Sequence, residues 1–145
     1  MANEAVSTLN TLIETLKDGK NGFESAAADV KDLKVKATFQ EFAQQRARLA
    51  GELQAEVQKL GGDPETSGST VAAAHRGWMN LKSTLGGGEK SILNEAERGE
   101  DSAVKTYEKA LAENLPAEVA GVVRRQYAQV KQAHDRVRDL RDSWK

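Results

Sequence analysis

Apolar residues recur three and four positions apart along most of this chain, and that spacing marks one face of an α-helix. Val6, Leu9, Ile13, Leu16, Phe23, Ala27 and Val30 keep the rhythm through the first stretch, with only Lys20 interrupting it. Phe39, Phe42, Leu49, Leu53 and Leu60 carry it through the second, where Arg46 fills the place between Phe42 and Leu49. Val119, Val123, Val130, Ala133, Val137, Leu140 and Trp144 make a final stripe about seven turns long at 3.6 residues per turn. A period near 3.5 lets near-parallel helices interlock along their length, so the stripes predict a helical bundle.

The breaks set the connectivity. Lys31 to Lys36 is a charged joint, and Thr38 and Glu41 come after it in capping-box spacing. Gly61-Gly62-Asp63-Pro64 ends the second helix, and Thr66-Ser67-Gly68-Ser69 offers N-caps for the next one. Gly86-Gly87-Gly88 is a further break, and Asn114-Leu115-Pro116 restarts the last helix, because proline is tolerated in a first turn. These signals predict helices over roughly 4–31, 37–60, 70–85, 89–113 and 116–143, in one domain spanning 1–145. The shortest carries Val71, Ala74, Trp78, Leu81 and Leu85, and at 1.5 Å per residue it is about 24 Å long. Two antiparallel hairpins joined by a long crossover carrying a short fifth helix is the ferritin-like four-helix-bundle connectivity, an all-α fold.

Composition mostly excludes. A net charge of −1 leaves no global field to attract nucleic acid or an anionic membrane. The absence of cysteine removes disulfides, thiol catalysis and thiolate metal sites. No apolar run approaches the ~18–20 residues of a membrane span, and no signal peptide is evident, so a cytoplasmic protein is expected. Gly86-Gly-Gly88 lacks the preceding strand and the Lys-Ser/Thr ending of a phosphate loop, and no nucleophile elbow surrounds any serine. No small-molecule substrate is identifiable, and these absences lean away from an enzyme. Gly19 and Gly22 are unusual inside a helix, where each costs about 1 kcal/mol relative to alanine. Close packing at Gly19 and a local kink are the simpler account; a hinge or binding notch in Asp18–Gly22 is the functional one.

A bundle of this kind holds two metal ions with one Glu from each of two helices and a Glu-x-x-His pair from each of the others. His134 lies on the last stripe, but Lys131 stands three residues before it. Glu100 falls in the series Leu93, Ala96, Glu100, Ala103, Tyr107 and should point inward. Glu24 follows Phe23 and lies about 100° from it, on the edge of the buried face. The second helix has no histidine, and its inward polar residue is Arg46.

Several motifs together carry a resemblance. They are Leu9-Asn-x-Leu-Ile-Glu-x-Leu-x-Asp-Gly, Gln44-Gln-Arg46, His75-Arg-Gly-Trp78, Glu97-Arg-Gly-Glu100-Asp and His134-Asp-Arg-Val-Arg-Asp-Leu-Arg141. The chain resembles an uncharacterised bacterial family of ferritin-like four-helix-bundle proteins, distantly related to rubrerythrin and bacterioferritin. The resemblance covers essentially the whole chain; it implies the fold and no established activity. Set beside the rubrerythrin pattern, Glu24 falls on the first-helix Glu, Glu100 on the third-helix Glu and His134 on the last histidine. Arg46 and Leu49 stand at the second-helix Glu-x-x-His, and Lys131 stands at the fourth-helix Glu.

Three arrangements accommodate these residues. Arg46 and Lys131 can replace two metal ions and pair with Glu24 and Glu100 in an interior ion-pair network, with His134 beside it. Glu24, Glu100 and His134 can hold a single metal, iron being the alternative cofactor. Or some of them reach water along the flanks. Charge balance favours the first, because buried anions need a partner and two ligand positions have become cations. The expected function is therefore that of a non-enzymatic bundle, stress-related or structural, with a degenerate di-metal site and no cofactor; a metal-binding protein with a reduced Glu/Glu/His site is the alternative. A homodimer through one helical hairpin stays open. The acidic run Glu95, Glu97, Glu100 and Asp101 resembles a cation-binding face, although pairing four residues apart explains it as well.

Overall fold

A computed structural model describes residues 2–65 and 88–144. The chain forms α1 (Ala2–Asp29), α2 (Leu33–Lys59), α3 (Glu89–Leu111) and α4 (Ala117–Ser143), with no strand among the described residues. The helix expected over 70–85, with His75 and Trp78, lies outside them. No helix among the described residues is long and apolar enough to cross a membrane.

The first joint is tighter than its charges suggest. α1 ends at Asp29 and α2 begins at Leu33, capped by Asp32, whose Oδ1 accepts from the Val35 N–H at 3.0 Å. The expected cap around Thr38 is thus internal to α2, and the Thr38 hydroxyl instead donates to the Lys34 carbonyl at 2.9 Å. Two further groups satisfy the turn. Lys36 Nζ donates to the Ala27 carbonyl at 2.6 Å, at the C-terminal end of α1 where carbonyls lack partners. The Glu89 carboxylate, from the start of α3, accepts from the N–H groups of Lys31 and Asp32.

At the other end of α2, Gly61 takes a positive φ of 82°, and the Gly62 N–H bonds the Val57 carbonyl at 3.0 Å. This is the left-handed C-terminal stop that glycine adopts without strain. Gly62 also lies against α1: a Cβ there would sit 2.7 Å from both Val6 methyls. Asn10 ties the departing chain down, donating to the Asp63 carbonyl at 3.1 Å and accepting from the Glu65 N–H at 2.8 Å.

Two apolar clusters fix how the helices run. One joins the first half of α1 (Leu9, Leu12, Ile13, Leu16) to the ends of α2 and α3 (Leu53, Val57, Tyr107, Ala110) and the start of α4 (Val119, Val123). The other joins the end of α1 (Phe23, Ala26, Val30) to the starts of α2 and α3 (Val35, Phe39, Ile92, Leu93) and the end of α4 (Val137). Hence α1 and α4 point one way, α2 and α3 the other. The end of α2 and the start of α3 therefore lie at opposite ends of the bundle. α1 packs on α2 and α3, and α4 packs on α3 and α2, so α2 and α3 face each other diagonally. Between the two clusters lies a layer that is not apolar.

Candidate functional site

Arg46 occupies a stripe position of α2 and therefore points into the bundle, where its side chain is fully buried. Glu100 does the same from α3, at the diagonally opposite corner of the bundle. The two meet in a bidentate pair: Arg46 Nη1 donates to Glu100 Oε1 and Nη2 to Oε2, each at 2.5 Å. Parallel N–H···O bonds of this kind are the strongest match a carboxylate finds among side chains. Arg46 Nε donates to Gln45 Oε1 at 3.2 Å, and the guanidinium carbon lies 5.3 Å from the centre of the Phe23 ring. Gly19 makes the room. A Cβ at Gly19 would approach Arg46 Nη1 to 3.2 Å, tighter than ordinary van der Waals contact, so close packing at this glycine has a specific cause.

One turn and more away, the core carries a second polar chain. The Tyr107 hydroxyl donates to Gln126 Oε1 at 2.8 Å, and Gln126 Nε2 donates to the Leu49 carbonyl at 3.2 Å and to Glu52 Oε1 at 2.7 Å. Glu52 also pairs with Arg125. Burial pushes the Tyr107 hydroxyl far above its usual range, so it is a permanent donor here. For Glu52, burial acts to raise the carboxyl, but hydrogen bonds from Arg125 and Gln126 outweigh it and hold the group low.

The other candidates go elsewhere. Glu24 is 54% exposed and pairs with Lys20 at 3.4 Å, one turn away on its own helix. Lys131 is half-exposed and pairs with Asp135 at 3.4 Å. The expectation that Glu24 and Lys131 enter an interior network is therefore corrected: the structure brings Arg46 to Glu100 and leaves the other two on the flanks. The reason is rotational, because a residue next to a buried one sits about 100° round the helix. Nor do Glu24, Glu100 and His134 converge, since Glu24 is at the surface and Glu100 is engaged by Arg46 through both oxygens.

His134 instead faces two acidic residues of α3. Its Nε2 lies 3.6 Å from Glu97 Oε2 and 3.6 Å from Asp101 Oδ1, too far for hydrogen bonds. Its Nδ1 is 3.0 Å from Asp135 Oδ1, and that contact holds the Asp135 carboxyl below the usual carboxylate range. Glu97 Oε1 accepts from Arg141 Nη1 at 2.8 Å, and Asp101 Oδ2 lies 3.1 Å from Lys105 Nζ. In the sequence Glu97 and Asp101 are legible only as members of an acidic run. Their signal is the spacing of four, which stacks both on one helix face; which helix that face meets is not in the spacing. Glu95, in the same run, is buried and pairs with Arg98.

No curated protein matches this chain in sequence. The family described as "Domain of unknown function (DUF2383)" matches residues 4–113, which takes in α1, α2 and α3 with Arg46 and Glu100 and stops just short of α4. The chain belongs to that family.

Proposed function

We propose that this protein is a ferritin-like bundle whose central metal position has been given over to an ion pair, and that it works through its surface or by self-association in a structural or stress-related role, not as an enzyme. The observation that carries the reading is the bidentate Arg46–Glu100 pair, dry on both sides and placed on the bundle's diagonal. In the resemblance to rubrerythrin, Arg46 stands at a second-helix ligand and Glu100 at the third-helix Glu. A guanidinium there supplies the positive charge that a metal ion would otherwise bring, and it uses both oxygens of the remaining carboxylate. The direction of the helices, with α1 and α4 opposed to α2 and α3 and with the end of α2 and the start of α3 at opposite ends of the bundle, supports the ferritin-like assignment.

The test is metal content in a protein whose flank carboxylate beside His134 is neutralised while Glu24, Glu100 and His134 all remain. Asp101→Asn purified from iron-supplemented culture is expected to carry far less than one iron per chain. One or two irons per chain retained by that variant through gel filtration would put metal at the centre and end this reading.

A further inference from the structure

We propose that Glu97 and Asp101 of α3 and His134 of α4 form a binding site for one divalent transition-metal ion on the flank of the bundle. The site is separate from the central pair, and it is not the Glu24, Glu100 and His134 set to which the rubrerythrin pattern points. Its residues each offer one atom to a common space, all within 4.8 Å of one another. Acidic residues near a histidine are common without a ligand. Here a second observation stands beside the convergence: His134 is nine-tenths buried, and its Nε2 is enclosed with no hydrogen-bond partner. That nitrogen is aimed into the cluster, at 3.6 Å from both carboxylates.

The second atom of every ligand is already held. Asp135 engages His134 Nδ1, Arg141 engages Glu97 Oε1, and Lys105 engages Asp101 Oδ2. With the imidazole proton on Nδ1, facing Asp135, Nε2 presents a lone pair to two carboxylate oxygens. Three acceptors then share one space with no donor among them, and a cation between them resolves the repulsion. A metal-binding histidine ordinarily has its other ring nitrogen on a carboxylate, and ligating carboxylates are themselves hydrogen-bonded. The flank has that arrangement complete on the outer side.

Dimensions and chemistry narrow the ion. Two ligands about 2.0–2.2 Å from a tetrahedral zinc lie roughly 3.4 Å apart, so the 3.6 Å separations need little adjustment. One imidazole with two carboxylates suits zinc, manganese or ferrous iron better than the all-oxygen preference of calcium or magnesium. Asp101 is 45% exposed, so an ion there is reachable and keeps a water in its remaining position. Arg141 and Lys105 sit behind the carboxylates and oppose a cation, which keeps the affinity moderate. Because the ligands come from α3 and α4, the ion would clasp the second hairpin across its middle.

Zinc chloride titrated into the full chain by calorimetry is the direct test, with cobalt as a spectroscopic probe of tetrahedral geometry. One zinc per chain is expected, with a higher melting temperature in zinc. His134→Ala and Asp101→Asn should each weaken binding at least tenfold, and His75→Ala, which removes the chain's other histidine, should leave it unchanged. Asp101 is half-exposed, so its conservative variant keeps the fold even if the histidine variant does not. Binding unaffected by Asp101→Asn, or lost in His75→Ala, would overturn the site. So would an absence of zinc binding at millimolar concentration in the wild-type chain.

Discussion

Glu100 and Asp101 are neighbours on α3, and the 100° between them puts one in the dry centre of the bundle and the other on its flank. Glu100 has both oxygens on the Arg46 guanidinium, and neither side chain touches solvent. Asp101 has one oxygen near Lys105 and the other beside a histidine nitrogen that donates to nothing. The centre could not be left that way. An unmatched charge in a low-dielectric interior costs several kcal/mol, so the fold must carry its own counter-charge there. On the flank water tempers the penalty, and an incomplete cluster can persist until an ion completes it.

Removing one partner at the centre is the strongest way to break this contrast. Glu100→Ala leaves the Arg46 guanidinium buried without its carboxylate, and about 3–5 kcal/mol of stability should be lost. Replacing both, as Arg46→Met with Glu100→Leu, should return the protein to within about 1 kcal/mol of wild type or make it more stable, since a well-packed apolar pair avoids the desolvation of two charges. Urea unfolding of the three proteins measures both. A single variant that costs no more than a surface substitution would show that the centre is wetter and less dependent on its pair than the geometry says.

The same geometry decides how much of the site is legible in the sequence. Arg46 and Glu100 both take up places in an apolar series, Phe42–Arg46–Leu49 and Ala96–Glu100–Ala103, and periodicity alone aims them inward. The two hairpins and the long connection are legible too, because glycine and proline punctuation is local. Glu24 and Lys131 each come directly after a buried residue, Phe23 and Val130, and from that position sequence cannot separate edge from interior. The start of α2 lies earlier than local signals place it, because part of what fixes it is remote. Glu89 arrives at the turn from the start of α3 to accept from two of its N–H groups, and no pattern near Asp32 announces that. The partners of His134 are hidden for the same reason, since they depend on which helix lies next to α4.

A smaller effect sharpens the account of the centre. Gly19→Ala gains about 1 kcal/mol of helix propensity in an interior position. In the wild-type chain the new Cβ meets Arg46 Nη1 at 3.2 Å, and that group cannot swing aside without disturbing its bonds to Glu100. The gain should therefore vanish or reverse there and appear in full in the Arg46→Met, Glu100→Leu background. The cycle of four proteins isolates the coupling between the glycine and the guanidinium, expected at about 1 kcal/mol or more for groups in contact. Equal gains in both backgrounds would mean that Gly19 is not there to clear the arginine.

The smallest effect lies where core and flank join, at Glu52. Its folded-state carboxyl is held below the ordinary value near 4.3, so its contribution to stability is complete above the unfolded pKa and is lost as pH falls through the folded one. Wild type should lose that contribution below about pH 4, whereas Glu52→Gln, which cannot titrate, should show a shallower acid limb. The side chain is 34% exposed and its partner Arg125 is half-exposed, so solvent screening limits the difference at neutral pH to under about 1 kcal/mol. High salt should shrink it further, while the Arg46–Glu100 pair, sealed from ions, should respond little. If the acid limbs coincide, the Gln126 and Arg125 contacts do not favour the charged carboxylate, and the polar chain from Tyr107 ends at Gln126.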